Sequence, residues 1–411
     1  MDRIINILNN GSGFTYYLVN QNDELKANEI SVSLVIKCGL VNEAEHEQGI
    51  SHFLEHLIAL SITYLPQSYE RIFSRIERAY TGMSETVYVF QSHQENSEII
   101  ELFLNGCINT IKYILFDQML DARFFGYAKQ EVLKEYQKTN LSKERAVKKL
   151  FFENSHYKGL PIGCIDCIDK LCFDDLLEYK KKHYLTEKSA IIIAGNIDVI
   201  RTEDVIKQNF SFNNNYYPSG IFDNMTITDS CHNQEDIDTI IKERYFEKTF
   251  YSKIERKVMP IDDYIENSLY INLALNSVKL ITKNFFRNLS IDISEVDGDI
   301  KIFDYNWFVI CFYYTSEEDI NFEIKLNELR LNYDIYSQTI ADFMKTMEID
   351  IKLNNYQTKT ECINHFLFQE PILKLEDEKK HIHRIIDNIC FYKAEQVFDE
   401  IVRNFVSLEE E

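Results

Sequence analysis

Gly49-Ile50-Ser51-His52-Phe53-Leu54-Glu55-His56-Leu57-Ile58-Ala59-Leu60 reads as the opening of a buried helix. Ser51 is an acceptable N-cap, and Ile50, Phe53, Leu54, Leu57, Ile58 and Leu60 supply the apolar contacts that hold such a helix in a core. On that helix His52 and His56 are four residues apart, so both imidazoles project from one face and can bind a single metal ion. Glu55, three residues after His52, comes close enough to the same face to reach a water on that metal. In a chain with 10 histidines a five-residue pattern also arises without function, so its neighbours decide the reading.

Upstream, Ser33 to Leu40 reads as a strand ending at Gly39, followed by Asn42-Glu43-Ala44-Glu45 and then the helix. Downstream, Ala79 to Phe90 is a turn followed by an alternating strand. In these surroundings the sequence resembles the inverzincin metallopeptidases of the pitrilysin, insulysin and mitochondrial processing peptidase type. Their first half runs strand, Gly, Glu, Gly-Ile-x-His-Phe-x-Glu-His, then a segment close to Asn-Ala-x-Thr-x-x-x-x-Thr-x-Tyr. Ala79, Thr81, Thr86 and Tyr88 fit that segment, with Arg78 where an Asn is usual. Leu160-Pro161-Ile162-Gly163 and Ala190 to Asp198 are similar to two further landmarks in the same order, so the resemblance covers roughly the first 200 residues.

The resemblance implies a zinc endopeptidase in which His52 and His56 hold the metal and Glu55 is the general base. It implies a third ligand on a later helix, where the candidates are Glu131 and Glu135. The apolar residues before the ligand in the family match Val132-Leu133-Lys134-Glu135, which selects Glu135 and leaves Glu131 as an alternative ligand or a supporting carboxylate. Family members carry another glutamate seven residues before the ligand, where this chain has Ala128. An extended peptide substrate would lie against an edge strand at Ala79, Tyr80 and Thr81. The family also supplies an Arg and a Tyr from its second half. The nearest text here, Phe285 to Glu295, offers only Arg287 and no Tyr in register. That departure carries an alternative reading, a non-catalytic or partner-dependent peptide-binding subunit. Half-length members of the family pair with an identical or a related chain, so a homodimer or heterodimer is implied, and some remove leader segments from modified peptides.

At 411 residues the chain suits two domains. They are expected at 1–207, with the zinc motif, and at 233–411, a second family-like copy in which no His-x-x-Glu-His recurs. The turn-rich stretch 208–232 reads as the linker. The element pattern gives an α+β class: two α/β sandwich domains, each a mostly antiparallel sheet with helices on one face. Helices are expected at Ser68 to Glu77, Ile99 to Leu115, Phe124 to Tyr136, Leu171 to Tyr184, Leu269 to Ile281 and from Phe322 to Leu329 or later, with a buried strand over Trp307 to Tyr314. A net charge of −22 argues against nucleic acid and anionic membranes as partners. No apolar run approaches the ~20 residues that span a bilayer, and Met1-Asp2-Arg3-Ile4 has no signal-peptide shape, so a cytoplasmic protein is expected. Nine scattered cysteines suit free thiols. Cys164-Ile165-Asp166-Cys167 is a lone Cys-x-x-Cys, and the His381-Ile382-His383 pair reads as solvated surface.

Overall fold

The computed structural model describes residues 4–9, 13–20, 29–64, 74–93, 97–116, 120–138, 159–210, 246–255, 261–288, 295–303, 307–316, 329–342, 362–367, 384, 388–404 and 406–407. Two compact units emerge, Met1–Thr226 with Asn355–Leu375, and Ile227–Asn354 with Glu376–Glu411. The expected continuous domain 233–411 is therefore interrupted, because Asn355–Leu375 joins the first unit. Most of the expected linker, from residue 211 onward, lies outside the described residues.

The first unit is built on a six-stranded sheet of β1 (Ile4–Asn9), β2 (Thr15–Asn20), β3 (Glu29–Ile36), β4 (Arg78–Thr81), β5 (Thr86–His93) and β6 (Ser189–Gly195), in the order β1-β2-β6-β3-β5-β4. β2 and β6 run parallel and every other neighbouring pair is antiparallel. The period of two sends Tyr16, Leu18, Val32, Leu34, Tyr88 and Phe90 to one face and Tyr17, Val19, Val35, Val87 and Val89 to the other. Both faces are buried, which is why β6 reads as the unbroken apolar run Ala190 to Ala194.

On the first face lie α1 (Ile50–Thr63), α2 (Ser97–Phe116), α3 (Phe125–Lys138), α4 (Ile165–Lys170), α5 (Phe173–His183) and α6 (Val199–Phe210), with residues of all six in one apolar core. Residues 99–116 of α2 are, by length and composition, apolar enough to cross a bilayer, contrary to the sequence expectation. Leu104, Ile108, Ile111 and Ile114 are buried there against the core, which accounts for the apolar composition. The helix expected at Ser68 to Glu77 does not extend over 74–77, where Glu77 N–H instead donates to the Val89 carbonyl as the chain joins β4; residues 68–73 lie outside the described set.

The opposite face of the sheet is met by a short helix at 362–367. Cys362 and Phe366 pack against Tyr17, Val19, Val35 and Val87, and the Tyr17 hydroxyl hydrogen-bonds His365 Nδ1 at 2.7 Å. Lys37 Nζ sits 4.4 Å from the centre of the Phe366 ring.

The second unit contains β7 (Phe246–Glu255), α7 (Ile261–Asn288), β8 (Glu295–Phe303), β9 (Trp307–Ser316), α8 (Phe391–Arg403) and β10 (Val406–Ser407), with a further helix at 333–342. Its sheet is antiparallel, in the order β10-β7-β9-β8. Tyr270, Leu273, Val278, Phe398 and Ile401 form its core. The expected helix at Phe322 to Leu329 and the His381/His383 pair lie outside the described residues, apart from Leu329, which is not helical.

Candidate metal centre

α1 begins differently from the expected Ser51 cap. Its N-cap is Gly49, at φ +99°, a left-handed conformation that only glycine adopts without strain. Ser51 therefore lies inside the helix, buried, with its hydroxyl 2.8 Å from the Tyr179 hydroxyl. The capping acceptor comes from further back: the Glu43 carboxylate accepts hydrogen bonds from the N–H groups of Gly49 at 2.8 Å and Ser51 at 3.0 Å. Ile50, Phe53, Leu54, Leu57 and Ile58 are fully buried, and each such side chain contributes about 1.5–3 kcal/mol. That apolar seam fixes the rotation of the helix and so the direction of its polar residues.

Burial pushes the Glu43 carboxyl up to about 7, against the pull of its hydrogen bonds from Gly49 and Ser51. A group whose pKa is higher in the folded state favours folding when protonated, and that contribution is lost as pH rises through the folded pKa. Between about pH 4.5 and pH 7, wild type is thus expected to lose stability relative to Glu43→Gln, as read from denaturant midpoints across pH. A constant difference between the two proteins over that window would show that Glu43 does not titrate there.

The polar side of α1 faces α3 and β4. His52 is 8% exposed and Glu55 6% exposed, so neither is an ordinary surface residue. His52 Nε2 and His56 Nε2 are 3.1 Å apart, and Glu135 Oε2 on α3 lies 3.5 Å from the first and 3.3 Å from the second. A tetrahedral ion bound at about 2.0–2.1 Å would have ligand-to-ligand edges of about 3.3–3.4 Å, so the three donor atoms already stand at the spacing of one face of a zinc tetrahedron. Among the described residues they form the single cluster of three or more His, Cys, Asp or Glu ligand atoms. His52 Nδ1 is buried without a hydrogen-bond partner, which leaves that imidazole held by its packing and by Nε2.

The electrostatics favour a cation at this point. Hydrogen bonds from His52 and then His56 hold the Glu135 carboxyl well below the usual carboxylate range, although half of that side chain is exposed and solvent screens it. Burial works against charge on His56, yet its pKa is raised because the hydrogen bond to Glu135 and the nearby carboxylates outweigh burial. Glu55 behaves differently: burial pushes its carboxyl up, partly offset by His52 and by the Thr81 hydroxyl, which donates to Oε2 at 2.8 Å.

Glu131 is exposed and pairs with Lys134 at 3.4 Å, outside the cluster of donor atoms. Ala128 is fully buried. Ala79, Tyr80 and Thr81 occupy β4, which ends the sheet, and Thr81 additionally holds Glu55. Arg287 closes α7 in the second unit. The residue that the spacing argument missed is Glu43, whose position between the Gly39 strand end and the helix was visible but whose capping role depends on the loop's path.

The match to the insulinase family (peptidase family M16) covers residues 18–161. An uncharacterised zinc protease of Rickettsia bellii is 27% identical in an alignment 198 positions long that covers 44% of this chain and 43% of that protein. Among solved structures, the periplasmic protease PqqL of Escherichia coli superposes with a TM-score of 0.73 at 14% identity, over 97% of this chain and 46% of PqqL. A putative M16-like peptidase of Alicyclobacillus acidocaldarius gives 0.71 at 13% identity, over 98% of this chain and 97% of its own. The matched stretch spans less than half the length of the sequence relatives, 43% of the Rickettsia bellii protein and 22% of a probable zinc protease PqqL of Haemophilus influenzae.

Proposed function

We propose that this chain, whose residues 18–161 match the insulinase peptidase family, is a zinc-dependent endopeptidase acting on peptides or small unfolded polypeptides. The observation that carries the reading is the convergence of His52, His56 and Glu135 at zinc spacing beside a buried glutamate, Glu55, that Thr81 holds in place. His52, His56 and Glu135 would hold the metal, and zinc, when bound, supplies polarisation of a scissile carbonyl and of an attacking water. Glu55 takes the proton of that water and delivers it to the leaving amine. Burial raises its proton affinity, which suits a group that must accept and then release a proton near neutrality. The outer edge of β4, at Ala79 to Thr81, would pair with the extended substrate main chain, so binding depends little on side chains.

A mixed peptide library, read by mass spectrometry, tests this. Cleavage with zinc, abolished by chelation and restored by zinc, is the expected result; zinc-bound protein that cuts nothing would count against it. Glu135→Gln is expected to weaken zinc retention about 10–100-fold or more, whereas Glu131→Gln leaves it within a few-fold. The reverse order would move the third ligand to Glu131. Zinc retention should also fall with acidity, beginning above the ordinary imidazole range because His56 holds its proton more tightly than usual.

A second reading, a partner-dependent subunit, is favoured by PqqL being about twice as long as the stretch that it shares with this chain. It predicts cleavage only after a second family chain, identical or related, is added. Leader segments of modified peptides fit the proposed substrate class, and we place the protein in the cytoplasm.

A further inference from the structure

Outside the metal centre, Cys164 and Cys167 bracket the first turn of α4 with their sulfurs 2.6 Å apart. Cys164 is the N-cap of α4, with extended backbone, and its side chain folds back over the first turn that carries Cys167. The Cys167 N–H donates to Cys164 Sγ at 3.3 Å, and Cys167 Sγ lies 3.8 Å from the Glu45 carbonyl oxygen. Both residues are partly exposed. Two thiols this close are the start of either a metal site or a disulfide. A metal needs at least a third donor, and among the described residues no third His, Cys, Asp or Glu joins the two sulfurs.

We propose that Cys164 and Cys167 are a reversible dithiol–disulfide pair, oxidised by a low-molecular-weight disulfide such as oxidised glutathione. The thiolate of one cysteine attacks a glutathione sulfur, breaks the glutathione S–S bond and releases one reduced glutathione. The second cysteine, as its thiolate, attacks the protein sulfur of the mixed disulfide and expels the other. The protein loses two electrons and two protons, and both are carried off by the two reduced glutathiones. Burial and the Cys164 thiol push the Cys167 thiol up to about 11, so exchange accelerates as the solution becomes alkaline.

The pair is built onto the start of α1. Gly163 and Gly49 pack backbone to backbone, both in the left-handed region, and the Cys164 N–H points to the Gln48 carbonyl at 3.5 Å. Oxidation therefore fixes the same loop that receives the first residues of the metal-binding helix.

The test titrates full-length protein with reduced and oxidised glutathione, quenches with acid, alkylates under denaturing conditions and maps cysteines by mass spectrometry. Cys164 and Cys167 are expected to lose alkylation together, the intact mass to fall by about 2 Da, and excess reduced glutathione to restore both. Cys167→Ser should stop at a stable glutathione adduct on Cys164, while Cys172→Ser should behave as wild type. If wild type keeps an adduct on one cysteine, if both stay alkylatable in oxidised glutathione alone, or if Cys172 takes the place of either, the proposal fails. Should the serine variant not fold, the wild-type mass shift decides by itself. None of these readouts uses peptidase activity.

Discussion

Glu55→Gln is expected to lower peptide hydrolysis by about 10²–10⁴-fold at equal zinc loading. The amide is nearly isosteric and keeps a carbonyl oxygen for the Thr81 hydroxyl, so the 2.8 Å contact and the helix packing survive. What disappears is the capacity to take a proton. His52, His56 and Glu135 are untouched, so zinc content measured by mass spectrometry or atomic absorption should be unchanged. The comparison is of kcat/KM for one library-derived peptide. A variant that retains activity within tenfold of wild type would remove Glu55 from the role of base. If wild type itself is silent while zinc is bound, the partner-dependent reading takes over.

Gly163→Ala is expected to cost about 3–5 kcal/mol of stability. The backbone at Gly163 is at φ +85°, and an added Cβ would meet Gly49 Cα and, at 2.7 Å, the Gln48 carbonyl oxygen. Backbone atoms cannot swing aside as a flexible side chain would. Gly126→Ala is the matched control: it lies in α3, nothing stands within 4 Å of its new Cβ, and it should stabilise by about 0.5–1 kcal/mol. Urea midpoints with slopes checked for two-state behaviour separate the two. Because the clash falls on the turn before α1, zinc retention should weaken with Gly163→Ala and not with Gly126→Ala. A Gly163→Ala protein within about 0.5 kcal/mol of wild type would mean that the turn relaxes freely.

How much of this could be read from residues alone depended on the reach of each interaction. His52, Glu55 and His56 lie within one and a half helical turns, so local periodicity places them together. Glu135 sits on another helix, and only the family resemblance selected it over Glu131, one turn earlier on the same element. β6 announced itself as an apolar run, Ala190 to Ala194, because both sheet faces are covered. The start of α1 was misread: a serine before an apolar run is a good cap in isolation, but the left-handed Gly49 starts the helix two residues earlier and hands the capping to Glu43. The 68–77 periodicity suggested a helix, yet Ser74 N–H bonds to the Gly106 carbonyl and Glu77 N–H to the Val89 carbonyl, tertiary contacts that override local pattern. No local signal joins Asn355–Leu375 to the first sheet, since that pairing exists only after the chain has folded back.

The helix at 362–367 sets a timetable for biosynthesis. Tyr17 and His365, which share a hydrogen bond, are separated by 348 positions. At about 5–20 residues per second of synthesis, the strand waits roughly 20–70 s for its partner. During that interval the face bearing Tyr17, Val19, Val35 and Val87 lacks Cys362 and Phe366, so the nascent first unit presents apolar surface to chaperones or to other ribosome-bound copies. The unit that carries the candidate metal centre is thus begun first and finished nearly last.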